Sequence, residues 1–156
     1  MKLDEKASKL RNFMALLSNY LNHIQKKMSG YPFNFNEIRI ILDLYDRKTL
    51  TAVEIEESLD LDKGYASRLI RNLAEQEVIR KEQSEEDKRS FDLSLTSKGR
   101  KIAKELLQAY LNILERDLEK MNDTQLSELD MALSVIQKLY MEIKEQQDQD
   151  KEKSSF

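Results

Sequence analysis

Between Thr51 and Gly99 the chain alternates two short helical patterns with a polar break and then switches to a strand period. Thr51 and Glu54 stand three apart, the spacing at which a threonine oxygen and a glutamate can reciprocally cap a helix start. Val53, Ile55 and Leu59 are expected to give that helix its buried side, with Glu54, Glu56 and Glu57 toward water. Asp60, Leu61 and Asp62 form a three-residue connection in which Asp60 can take the left-handed conformation more readily than most residues and Asp62 can cap the next helix. That second helix is predicted from about Lys63 to Gln76, because Ala66, Leu69, Ile70 and Leu73 recur at spacings of three and four.

Val78 and Ile79 lead out of this helix, and Phe91, Leu93 and Leu95 alternate with Asp92 and Ser94, the period of a half-buried strand. The intervening residues 84–90 are polar enough to project as a loop. Helix, tight turn, helix and hairpin in this order describe a winged helix-turn-helix, whose second helix is shaped to enter a DNA groove. Lys63, Tyr65, Ser67, Arg68 and Arg71 cover its outward side with donors suited to base edges and phosphates. At the hairpin tip, Arg89 suits a narrow minor groove, and Asp87 is placed to orient it by a bidentate pair. Lys88 and Lys98 are candidate phosphate contacts.

Three segments resemble the MarR family of dimeric winged helix-turn-helix transcription regulators: Leu61 to Leu69, Asp87-Lys88-Arg89-Ser90, and Leu95-Thr96-Ser97-Lys98-Gly99-Arg100. They resemble that family's recognition helix, wing tip and the junction between wing and following helix. Gly64-Tyr65 departs from the small polar residues common at that place, a difference that bears on base preference. The resemblance implies a homodimer on double-stranded DNA. It also implies a small aromatic effector held where the DNA-binding lobe meets the dimer helices. Met14, Tyr20, His23, Phe33 and Tyr45, with Tyr31, Phe35 and Tyr110, are the residues available for such a cleft, and the same types serve equally as core.

Composition narrows the alternatives. The absence of cysteine removes disulfides, thiolate metal sites and the thiol-based oxidant sensing used in one branch of the resembled family. His23 is the only histidine and falls in a long amphipathic segment; three glycines make no phosphate-cradling loop; Glu56-Glu57 and Glu85-Glu86 read as solvated. Neither catalysis, a cofactor nor a metal site is expected. No apolar run reaches the length of a signal peptide or membrane span, so a soluble, cytoplasmic protein is expected, with no membrane partner. The net charge is −3, yet residues 62–104 hold 11 basic and 8 acidic side chains, a local +3 against −6 elsewhere. DNA responds to the local field within about 10 Å.

The flanks are helical. Leu3, Ala7, Leu10, Met14, Leu17, Leu21, Ile24 and Met28 repeat at intervals of four and three, and Ser29 to Pro32 stop that helix. Asn34 and Glu37 start another, with Phe35, Ile38, Ile41, Leu42 and Tyr45 inward, and Asp46-Arg47-Lys48 as its exit. Thr49-Leu50 suits a short third strand beside the wing. Thr96 begins a helix to about Met121 with Ile102, Leu106, Ala109, Ile113 and Leu114 inward; Asn122 and Gln125 begin the last, bearing Leu126, Leu129, Leu133, Ile136, Tyr140 and Ile143. Burying one such stripe is worth on the order of 10 kcal/mol before ordering costs. A second copy is the economical cover. The expected fold is mainly α with a small β-hairpin wing. Residues 1–33 and 99–146 are the expected dimerisation region, 34–98 the DNA-binding domain and 147–156 a disordered polar tail. The functional expectation is a regulator, as a repressor on a palindromic operator; the alternative is a winged-helix protein-interaction module without DNA readout.

Overall fold

The structure, a computed structural model, describes residues 2–155. Its elements are α1 (Leu3–Lys27), α2 (Phe35–Arg47), β1 (Thr49–Thr51), α3 (Ala52–Leu59), α4 (Lys63–Glu75), β2 (Ile79–Gln83), β3 (Phe91–Leu95), α5 (Ser97–Leu118) and α6 (Asp123–Ser154). The chain divides into two compact units, residues 1–113 and 114–156.

Local chemistry sets the boundaries in the first unit. Asn34 and Glu37 cap α2 reciprocally: the Asn34 side chain accepts from the Glu37 N–H and the Glu37 carboxylate from the Asn34 N–H, both at 2.9 Å. Thr51 and Glu54 do the same for α3. Asp60 ends α3 in the left-handed region, φ 50° and ψ 51°. Asp62 then accepts from the N–H groups of Gly64 and Tyr65 to open α4. The α4 face of Ala66, Leu69, Ile70 and Leu73 is buried, as its spacing predicts. It packs on α3, on β2 and on α2, whose buried side is Ile38, Ile40, Ile41 and Leu44.

The sheet order is β1-β3-β2, antiparallel throughout. Thr49–Thr51 is thus the third strand that Thr49-Leu50 suggested, with Leu50 opposite Leu93. Leu50, Val78, Ile79, Leu93 and Leu95 complete the core.

Several expectations need correction. Val53 is 57% exposed while Ile55 is buried; two residues along a helix turn by about 200°, so the two cannot share a face. Phe91 lies beyond the core toward the hairpin tip and is also exposed. Ile40, Leu44 and Ala103 are buried although the sequence pattern did not single them out. α2 continues through Arg47, and α5 ends at Leu118 instead of Met121.

α1 carries acids in its first turn and lysines in its last, matching the helix dipole. Ile24 is its only buried residue, and Leu3, Leu10, Met14, Leu17 and Leu21 are exposed. In the second unit, α6 starts at the Asn122–Gln125 capping box and contains no buried residue. Met131, Leu133, Ile136, Leu139, Tyr140 and Ile143 are all exposed. The tail expected to be disordered is helical to Ser154. Glutamate, glutamine and lysine are good helix formers and no Gly or Pro interrupts them, while Lys151 and Lys153 suit the negative helix end. Among the described residues no helix is long and apolar enough to cross a membrane.

Candidate nucleic-acid interface

Two tethers hold the helix pair in place. Arg47 grips the Asp43 carboxylate at 2.9 and 2.8 Å, and Ser58 of α3 donates to the same carboxylate at 2.9 Å. The first of these bonds holds the Arg47 guanidinium above its ordinary pKa. At the other end, Thr96 accepts from the Gly99 N–H to open α5 while its hydroxyl donates to the Glu77 carbonyl at 2.6 Å. The end of α4 is thereby fastened to the start of α5.

Two flanks of α4 border its buried face. Ser67, Ile70, Arg71 and Ala74 form one wall of a trough of about 700 Å³. The hairpin supplies the opposite wall through Lys81, Asp87, Arg89, Ser90 and Phe91, and Thr51, Ala52 and Val53 close one end. Four predicted site residues, Ser67, Arg71, Asp87 and Arg89, therefore meet in one groove. Tyr65 and Arg68 occupy the other flank. The Arg68 guanidinium lies 5.5 Å from the Tyr65 ring centroid, and the half-buried Tyr65 hydroxyl accepts from Asn36 Nδ2 at 3.3 Å. Lys63 is exposed in the first turn of α4.

The hairpin tip is a self-tied loop. Ser84 N–H donates to the Ser90 carbonyl and Ser90 N–H to the Asp87 carbonyl, each at 3.0 Å, and the Gln83 amide donates to the Lys88 carbonyl. Asp87 does not form the expected bidentate pair with Arg89. Its carboxylate accepts from the Arg89 backbone N–H at 3.0 Å, because a residue two positions on presents its amide, not its side chain, to an Asx turn. Asp87 thus shapes the loop and leaves the Arg89 guanidinium exposed. Lys98 also differs from expectation: its ammonium donates to the Gln76 carbonyl at 2.8 Å, capping the negative end of α4.

Lys81 is the site residue that sequence reasoning missed. It sits opposite Leu93, so the strand period puts it on the face of Phe91, and its ammonium lies 4.4 Å from that ring's centroid. Following the inward Ile79 two residues along β2 would have found it.

Among the described residues the five effector candidates are spread over separate surfaces. Met14, Tyr20 and His23 lie on the exposed row of α1, with the Tyr20 and His23 rings stacked at 6.1 Å. Phe33 lines a depression with Met28 and Ile38, and Tyr45 lines another with Leu44 and Leu95. Helical spacing aligns residues along α1, but α2 turns Phe33 and Tyr45 to opposite ends. Phe35 and Tyr110 do meet, stacked at 6.2 Å, and burial raises the Tyr110 phenol above its ordinary pKa against a smaller opposing pull from Arg39.

Residues 33–91, which contain all of the trough's lining except Leu93, match the MarR family. The chain carries a MarR-family domain. It is 32% identical over 93 residues, 60% of its length, to the organic hydroperoxide resistance transcriptional regulator of Bacillus subtilis. It is 29% identical over 90 residues, 58% of its length, to the HTH-type transcriptional regulator MgrA of Staphylococcus aureus. The match spans 62% and 59% of those two proteins, under two thirds of each. The likeness in fold extends further than the match in sequence. Streptococcus pneumoniae FabT, solved in complex with DNA, superposes with a TM-score of 0.75 at 18% identity, over 88% of this chain and 99% of FabT. At that identity the likeness concerns the fold.

Proposed function

We propose that the chain is a sequence-specific DNA-binding transcription regulator, acting as a repressor and reading a palindromic operator as a homodimer. The observation that carries this is the single trough in which Ser67 and Arg71 of α4 face Arg89 and Lys81 of the wing. In this reading α4 enters a major groove, where serine and arginine can address base edges, while the wing follows the adjacent backbone or minor groove. The names of the two curated relatives and the DNA in the FabT structure support the same direction. Residues 34–98 form the DNA-binding part, and 1–33 and 99–146 the dimerisation region.

The exposed apolar rows of α1 and of α6, taken separately, support a second copy as partner. Two recognition helices about 34 Å apart would then read an inverted repeat. A small aromatic effector that favours a different spacing of the two helices would release the DNA by population shift.

Glu85 and Glu86 beside the tip, with the net −3, favour a second reading, a protein-interaction module. Selection from a random duplex pool, followed by a salt titration of the recovered sequence, decides between them. An inverted repeat and a negative log–log salt slope are expected, since phosphate contacts release counterions. No enrichment and a flat slope would leave the interaction module.

A further inference from the structure

The end of α2 and the first two turns of α5 enclose a second cavity, of about 370 Å³, lined by Leu44, Tyr45, Lys48, Leu95, Arg100 and Lys104. That volume is in the range of small-molecule sites. Leu44 and Leu95 are buried and make an apolar floor. Three cations and no carboxylate line the rest. Among the described residues, none of the three cationic heads has an ion-pair or hydrogen-bond partner.

Three features set this arrangement apart. Like charges share one cavity without an acid between them. The first turn of α5 holds no acidic residue, so Arg100 adds to the end of a helix that is already positive. Lys48 takes φ 70° and ψ −51°, close to a strained γ-turn that side-chain-bearing residues seldom adopt. An anion seated among the three would relieve the repulsion and satisfy the unpaired heads together.

We propose that this cavity binds a small, multiply charged anion through a phosphate group, its apolar part resting against Leu44, Leu95 and the Tyr45 ring. Phosphate fits better than carboxylate because one group brings about two negative charges to three cations, and the planar fork of Arg100 can bind it bidentately. The site is separate from the trough. Leu95 lines this cavity, whereas Phe91 and Leu93 line the trough, and Phe91 and Leu95 stand roughly 13 Å apart along β3. On the DNA-binding reading, β3 would carry the effect of the anion to the wing; the site itself does not depend on that reading.

The test is calorimetric titration of the full chain with inorganic pyrophosphate at fixed ionic strength. Saturable binding at one site per chain is expected, weakened at least tenfold in Arg100→Gln/Lys104→Gln and in Lys48→Gln. Lys101→Gln, exposed on the same helix but outside the cavity, should stay within twofold of the parent. All four positions are exposed, and unchanged thermal melts would show that the variants fold. Absence of saturable binding to the parent chain overturns the proposal, as does an equal loss in Lys101→Gln, the mark of diffuse attraction. One-for-one exclusion of pyrophosphate by duplex DNA would also overturn it, assigning the cavity to the nucleic-acid backbone. Because the first titration contains no DNA, its failure leaves the DNA-binding reading standing, and failure of that reading leaves this result intact.

Discussion

Gly99 lies directly against the Val78 carbonyl: a Cβ at position 99 would fall far inside van der Waals contact with that oxygen and close to its carbon. The contact is backbone on one side, so no flexible side chain can swing away. It is also where Thr96 and Lys98 fasten the end of α4 to α5. Gly99→Ala should therefore destabilise the chain by about 3 kcal/mol, at the upper end of overpacking costs, despite the better helix propensity of alanine. Urea unfolding followed by circular dichroism measures this; a midpoint equal to the parent's would show that α5 can slide without penalty.

Glu77 lies just beyond α4 with φ 59°, and the Val78 N–H reaches back to the Leu73 carbonyl at 3.0 Å, the six-to-one bond of a helix C-cap in which glycine is usual. Asp60 takes a similar conformation, but a short Asx side chain tolerates it and a glutamate does not. Glu77→Gly is expected to stabilise the fold by about 1 kcal/mol. A lower melting temperature in the variant would count against strain at this position.

Arg71 and Arg68 are three residues apart on α4 yet occupy different flanks, one lining the trough and the other held over Tyr65. On the proposed reading, Arg71→Ala should lower affinity for the selected operator by about 1–3 kcal/mol. Arg68→Ala should cost less, under about 1 kcal/mol, because part of that guanidinium is already engaged. Fluorescence anisotropy with both variants at one salt concentration orders the two losses. The reverse order would move the recognition surface to the Tyr65 flank.

The caps at Asn34, Thr51 and Asn122, the left-handed Asp60 and the buried stripe of α4 are legible in the sequence, because each depends on residues within about one helical turn of one another. The sites that sequence misplaces depend on something longer in range or on a finer angle. An inward Val53 rests on a spacing of two, which suits a strand and not a helix. Lys98 looks free for phosphate, since nothing local reveals that the Gln76 carbonyl, 22 positions earlier, is within reach. Lys81 is inconspicuous because its place in the trough comes from pairing with β3, not from its own neighbours. Asp87 and Arg89 do stand at the tip, but which atoms meet there depends on the turn geometry.

Tyr110 stacks on Phe35 and is half-buried, with its phenol raised above the ordinary value of 10.0 chiefly by burial, against a smaller opposing pull from the Arg39 charge. The neutral phenol is thus the form the fold prefers. Its contribution is fully present below the unfolded value, and it is lost as pH climbs through the higher folded value, because ionisation is easier in the unfolded chain. Melting temperature should consequently fall above about pH 10, and Tyr110→Phe, which cannot ionise, should flatten that alkaline limb while leaving the melt near pH 7 almost unchanged. The decisive quantity is the difference between variant and parent across about pH 8 to 11. Parallel curves for the two proteins would mean that the phenol is solvated in the folded state.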